Sequence, residues 1–311
     1  MADPAPYRAD LAQGPRTDAY WVYASDGVRL RVGHASGAQL KGTVFILPGR
    51  SEYIEKYGPT AQDFVDKGFD VLTIDWRGQG MADRLGANPL VGHVDRFLDF
   101  QKDWSALRAF ATHHTLPRPW YMLAHSMGGC IGLRALVQGA DMKAVVFTGP
   151  MWGIKIATFL RPVAWALPRL AAALGQGHRL APLTSIESYF TSAPFKDNLI
   201  TSDPEMFAML RLHVEAEPLF GLGGPSLTWL STALDECKDL ATKPTPAIPA
   251  LCFVGSHERI VDTTAIRDRM TGWPGGKLML VDGSEHEVLM EGPNTRRQVT
   301  GSAISLFLNL A

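Results

Sequence analysis

The chain has 311 residues, 46% of them hydrophobic and 20% charged, which is enough apolar material for a globular core and unlike a disordered segment. Thirty Lys and Arg against 31 Asp and Glu leave a net charge of -1, so no global field draws the protein to nucleic acid or to an anionic membrane. Three cysteines, Cys130, Cys237 and Cys252, lie in or beside apolar runs; an odd set of this kind reads as buried free thiols in a reducing cytoplasm, not as a disulfide framework.

Residues 1–18 are rich in Ala, Pro and Asp and lack the basic start and apolar stretch of a signal peptide. Residues 20–23 and 28–32 flank Ser25-Asp26-Gly27 and predict a hairpin. From Gly42 onward, short apolar runs at 43–47, 71–74, 120–124, 144–147, 250–254 and 278–281 show no alternation, as expected for parallel strands covered on both faces. Helical spacing separates them, as in Phe97, Phe100, Trp104, Leu107 and Ala111, and in Val299, Ala303, Leu306 and Phe307. This rhythm predicts an α/β fold with a mostly parallel, doubly wound sheet.

The rhythm fails once, between Pro150 and about Gly224, where several helix-like pieces replace a single crossover. We therefore expect a core of residues 1–150 and 225–311 and an inserted helical cap over 151–224. Within the cap, Asp203-Pro204 is a helix start, and a helix is expected to resume over 226–240. The most apolar window, 154–174, is interrupted by Arg161, Pro162, Pro168 and Arg169, so no membrane-spanning helix is predicted.

The chemistry is carried by Leu123-Ala124-His125-Ser126-Met127-Gly128-Gly129, placed after one apolar run and before a helical stretch. A nucleophile elbow turns sharply from strand to helix and needs small residues two before and two after the serine; Ala124 and Gly128 stand there, Ala124 adding only a methyl to the usual glycine. A serine hydroxyl needs an imidazole to take its proton and a carboxylate to fix the imidazole's tautomer. His286 alone among nine histidines follows the final strand and precedes a C-terminal helix, so it is the expected base. Glu258, three residues past Gly255, is favoured as the acid over Asp262, which is placed to cap the following helix. Oxyanion-hole amides are expected from Met127, after the nucleophile, and from Arg50, in the loop Pro48-Gly49-Arg50-Ser51-Glu52 after the first core strand.

Together these motifs, with Lys56-Tyr57, Asp75-Trp76-Arg77-Gly78-Gln79-Gly80, Asn198-Leu199-Ile200-Thr201, Gly223-Gly224-Pro225, 255–261 and His286-Glu287-Val288, resemble the α/β-hydrolase superfamily over nearly the whole chain. The similarity is to its monoacylglycerol lipase and bacterial lysophospholipase branch. Pro48, Ser51, Ala124 and Glu258 depart from the His, Gly, Gly and Asp common there. The resemblance implies Ser126 as nucleophile, Glu258 as acid, His286 as base, and Arg50 and Met127 as oxyanion donors. It implies two-step hydrolysis of lysophospholipid or monoacylglycerol esters, with no cofactor. Other expectations on the same scaffold are a short-chain esterase, a thioesterase or a carbon–carbon bond hydrolase; from a different class, a non-catalytic ligand-binding protein.

Gly78-Gln79-Gly80 reads as a turn without a phosphate ligand, and His113-His114 as a solvated helix end without a metal. Among the cap residues Trp152, Phe159, Leu160, Trp165 and Leu167, most are expected to pack the cap onto the sheet and a minority to face the pocket or a lipid surface. The Arg50 side chain is suited either to a phosphate or to pairing with Glu52, and the sequence leaves both open.

Overall fold

A computed structural model describes residues 3–157 and 161–310. Its nine strands are β1 (Asp3–Pro4), β2 (Asp18–Tyr23), β3 (Arg29–Ala35), β4 (Thr43–Leu47), β5 (Asp70–Asp75), β6 (Trp120–His125), β7 (Ala144–Thr148), β8 (Ala250–Gly255) and β9 (Lys277–Val281). They form one sheet in the order β1-β2-β3-β5-β4-β6-β7-β8-β9. The pairings from β5 through β9 are parallel, and those among β1, β2, β3 and β5 are antiparallel. The predicted hairpin is β2–β3, closed by Gly27 at φ +83° and by the Ala24 amide donating to Val28 O. Residues 3–4, which carry no strand signal, pair with Tyr20 and Trp21 at the sheet edge.

The helices are α1 (Ala9–Ala12), α2 (Gly58–Val65), α3 (Phe100–His113), α4 (Ser126–Val137), α5 (Arg161–Ala173), α6 (Tyr189–Ser192), α7 (Pro204–Ala216), α8 (Leu227–Thr242), α9 (Thr263–Thr271) and α10 (Pro293–Leu308). Helices cover both faces at the centre of the sheet, which is why β4 to β8 are buried at every position and mostly apolar. At the sheet edge β9 leaves Leu278 and Leu280 exposed, so the expectation of cover on both faces is corrected there. Phe45 and Leu47 of β4 pack with α3, α4 and α8, while Val44 and Ile46 join α2, α7 and α10 on the other face. Burial of these two layers removes the main apolar surface from water, the dominant favourable term in folding.

Between β7 and β8 the chain makes α5, α6, α7 and α8. Asp203 caps α7 by accepting from the Glu205 and Met206 amides, and Ser226 caps α8 by accepting from Trp229 N at 3.0 Å. Both helix starts agree with the residue pattern. No helix among the described residues is long and apolar enough to cross a membrane.

Candidate active site

The carboxyl ends of β4, β6 and β8 converge on one crevice, the place where open parallel sheets present ligand-contacting loops. At the end of β6, Ser126 sits at φ +48°, a left-handed conformation that a non-glycine residue adopts at a cost. That strain lifts the serine off the strand and starts α4. The turn is close-packed: a Cβ on Gly128 would lie 2.2 Å from Leu47 O, so the position admits no side chain. Ala124 is tolerated because it faces Gly132, where even an added Cβ would stand 3.5 Å from the Ala124 methyl.

His286 and Glu258 meet this serine. His286 Nε2 lies 2.9 Å from Ser126 Oγ, and His286 Nδ1 lies 2.6 Å from Glu258 Oε2. The other Glu258 oxygen accepts from the Ile260 and Val261 amides at 2.6 and 3.0 Å, which fixes the carboxylate plane. Space for the imidazole comes from Gly149, at φ +47°, where a Cβ would stand 3.1 Å from His286 Nδ1. All three side chains are largely buried.

Burial disfavours the charged form of His286, but its hydrogen bond to Glu258 and that carboxylate's charge outweigh this and raise its pKa above the ordinary histidine value. Burial would likewise push Glu258 up; the His286 bond and charge, with the two amides, bring it below the usual glutamate value instead. The pair is thus arranged with a charged carboxylate behind an imidazole more basic than an ordinary histidine.

Asp262 stands apart from this chain. It is the N-cap of α9, accepting from Thr264 N at 2.9 Å. Asp262→Ala is therefore expected to lower stability by about 1 kcal/mol, measured by denaturant unfolding, while ester hydrolysis persists. A rate loss as large as that of a Glu258 variant would transfer the acid role to Asp262.

Arg50 lines the same crevice as Ser126, and Met127 is the residue after the serine. Met127 N lies in the first turn of α4, where an amide has no intrahelical acceptor, and Arg50 N has no protein acceptor among the described residues. The Arg50 loop is braced from below by residues that the sequence pattern marks only as motif landmarks. Gln79 donates to Gly49 O at 2.7 Å and to Glu52 O at 3.1 Å, and accepts from Ser51 N; Trp76 Nε1 donates to Pro48 O at 2.9 Å. Gly78-Gln79-Gly80 is thus a turn whose central side chain supports the loop. Ser51, at φ +65°, occupies the backbone region that glycine prefers, which accounts for the Gly common at this position in the branch the sequence resembles.

Beneath the loop lies a buried polar network. Glu52 accepts from Gly49 N, from Tyr57 OH at 2.6 Å and from Lys56 Nζ at 2.8 Å; the same ammonium lies 2.5 Å from Glu287 Oε2. Burial pushes the Glu287 carboxyl up to about 7 despite Lys56, because Glu52 adds a second negative charge nearby. Desolvation pulls His125 down to about 4, and its Nδ1 lies 2.9 Å from Thr148 O, so it is neutral at physiological pH. Glu52, His125 and Glu287 bring potential ligand atoms within 4.8 Å of one another, but the Lys56 ammonium already bridges the two carboxylates. The i,i+4 spacing of Glu52 and Lys56 was the available sequence signal for this pair; Glu287 gave none beyond adjacency to His286.

Ser126 and His286 open into a cavity of about 430 Å³ whose wall is largely apolar, with Ile154, Phe190, Leu199, Ile200, Trp229 and Val261 prominent. Of the cap aromatics and leucines named from the sequence, the three described follow the expectation that most of them pack, and none of the three lines the cavity. Trp152 is buried against Phe147 and Trp273, Trp165 lies under Arg169 and Lys238, and Leu167 packs with Ala171 and Leu227. Phe159 and Leu160 lie outside the described residues.

A doubly wound sheet with a serine at the strand–helix elbow defines an α/β hydrolase, and solved structures agree on the fold. The chain superposes on a soluble variant of monoglyceride lipase from Saccharomyces cerevisiae with a TM-score of 0.74 at 19% identity, covering 97% of this chain and 98% of that one. A thermostable carboxyl esterase from Bacillus coagulans gives 0.76 at 18% identity, covering 94% and 98%. Residues 38–293 match the family described as serine aminopeptidase, S33, and the chain belongs to that family of hydrolases. It is 33% identical to lysophospholipase L2 of Escherichia coli, over 97% of this chain and 92% of that protein. A probable lysophospholipase L2 of Haemophilus influenzae is 29% identical over 86% and 83%.

Proposed function

We propose that this protein hydrolyses carboxylic esters of lipids, of the lysophospholipid or monoacylglycerol class, with Ser126 as nucleophile, His286 as general base and Glu258 as its orienting acid. The observation that carries the reading is the continuous chain Glu258–His286–Ser126, at 2.6 and 2.9 Å, on the floor of an apolar cavity. In this mechanism His286 Nε2 takes the Ser126 proton as Oγ attacks the ester carbonyl, and Glu258 stabilises the imidazolium. The Arg50 and Met127 amides receive the oxyanion. The alcohol leaves with the proton returned by His286, and water, activated by the same imidazole, releases the fatty acid.

Residues 151–224 act as a cap in this reading. Ile154, Thr184, Tyr189, Phe190, Leu199 and Ile200, all from this interval, contribute to the cavity wall. The exposed Val163, Leu170, Leu174, Leu183 and Ile186 support brief contact of the cap with a lipid surface. The free, buried Cys130, Cys237 and Cys252 support a reducing, cytoplasmic compartment.

The test is a panel of p-nitrophenyl acetate, p-nitrophenyl palmitate, 1-oleoylglycerol, 1-oleoyl lysophosphatidylcholine and an aminoacyl p-nitroanilide. The highest kcat/KM is expected for the long-chain esters. Dominance of the acetate would make the cap a small-molecule lid, and dominance of the anilide would make the enzyme a peptidase.

A further inference from the structure

The cations that line the cavity are treated differently by the fold. Lys56 is matched by Glu52 and Glu287, whereas among the described residues the Arg50 guanidinium has no carboxylate within salt-bridge distance. The two alternatives left by the sequence are thereby separated: Glu52 is engaged by Lys56, Tyr57 and Gly49. Arg50 is held by neutral groups. It donates to Gly223 O and, at 3.2 Å, to Ser51 Oγ, and its guanidinium carbon stands 5.3 Å from the Trp229 ring centroid. Its Nε is buried and has no acceptor. The slot is built for it, since a Cβ on Gly92 would lie 2.6 Å from Nη2.

We propose that the Arg50 side chain is the recognition site for a phosphate on the alcohol side of the substrate ester, and so selects a lysophospholipid head group over neutral glycerol. A guanidinium placed in a cavity without a counter-charge carries a desolvation cost that an incoming anion offsets, and its planar fork matches phosphate oxygens. Burial pulls its pKa down to about 10, which leaves it cationic at neutral pH.

This rests on the ester-hydrolase reading with the Arg50 amide at the oxyanion, and the experiment separates the two. The wild type, Arg50→Met and Arg50→Lys are compared on 1-oleoyl lysophosphatidylcholine and 1-oleoylglycerol. The ratio of the two kcat/KM values cancels any disturbance of the shared amide. In Arg50→Met that ratio is expected to fall at least tenfold, with partial recovery in Arg50→Lys. In parallel, sn-glycerol 3-phosphate is expected to inhibit p-nitrophenyl butyrate hydrolysis by the wild type and to lose at least tenfold in potency against Arg50→Met. Equal inhibition by inorganic phosphate would assign the slot to a free anion and overturn the head-group assignment. An unchanged ratio with both lipids turned over would overturn the role of Arg50 and leave the ester-hydrolase reading standing. If the wild type cleaves short esters but neither lipid, the lipid reading fails, and the glycerol phosphate arm alone decides whether Arg50 reads phosphate.

Discussion

Ser126→Ala is expected to reduce kcat on the preferred ester by about ten-thousand- to a million-fold and to abolish labelling by a fluorophosphonate probe. Alanine keeps the Cβ that the φ +48° turn already accommodates, so the elbow is retained while the atom 2.9 Å from His286 Nε2 is removed. Thermal unfolding of the variant is therefore expected to stay close to that of the wild type, which separates loss of chemistry from loss of fold. Residual turnover would come from the Arg50 and Met127 amides and from binding alone. Activity within tenfold of wild type would place the nucleophile elsewhere. An unlabelled wild type would favour a ligand-binding protein that keeps the fold without the reaction.

What the residue pattern disclosed, and what it did not, follows from the range of the interactions involved. Strands β4 to β8 are legible because a sheet covered on both faces demands apolar side chains at successive positions, whereas β9 was found from an apolar run that its edge position leaves largely exposed. Ser126 and His286 are legible because each sits at a junction with a local signature, a strand–turn–helix elbow and the loop before the last helix. Glu258 was favoured over Asp262 because a capping position has its own pattern, but the residue pattern did not separate them; the hydrogen bond of Glu258 to His286 and the capping of α9 by Asp262 are tertiary facts. The cavity wall had no such signature. Lys56 meets Glu287 across most of the chain, and Gln79 reaches the Gly49 loop from another strand end. An interaction between residues so far apart leaves no period to detect. For the cap aromatics only the general expectation of packing was legible, because bulk and position over the strand ends do not determine which neighbour captures a side chain; Phe147 and Trp273 capture Trp152.

Glu258→Gln is expected to lower kcat by about a thousand- to ten-thousand-fold and, separately, to move the pH dependence of the remaining activity. Glutamine keeps the length of the side chain and an oxygen for the Ile260 and Val261 amides, so the loop after β8 retains its geometry. Its amide nitrogen, however, faces His286 Nδ1 as a donor, which forces the neutral imidazole to carry its proton on Nε2, toward Ser126. That tautomer cannot accept the serine proton. The titration argument has a definite sign. Activity requires neutral His286, whose pKa lies above the ordinary value because the Glu258 bond and charge outweigh desolvation. In the wild type the acidic limb of kcat/KM, which reports the free enzyme, should therefore fall off as pH drops through a value above about 6.5. With the charge removed, burial is left as the main influence and the limb should move to lower pH. The variant thus loses most of its rate while extending its relative activity toward acid. If the limb stays where it was, a group other than Glu258 sets the basicity of His286, and the buried carboxylates Glu52 and Glu287, whose charges also raise it, become the residues to vary next.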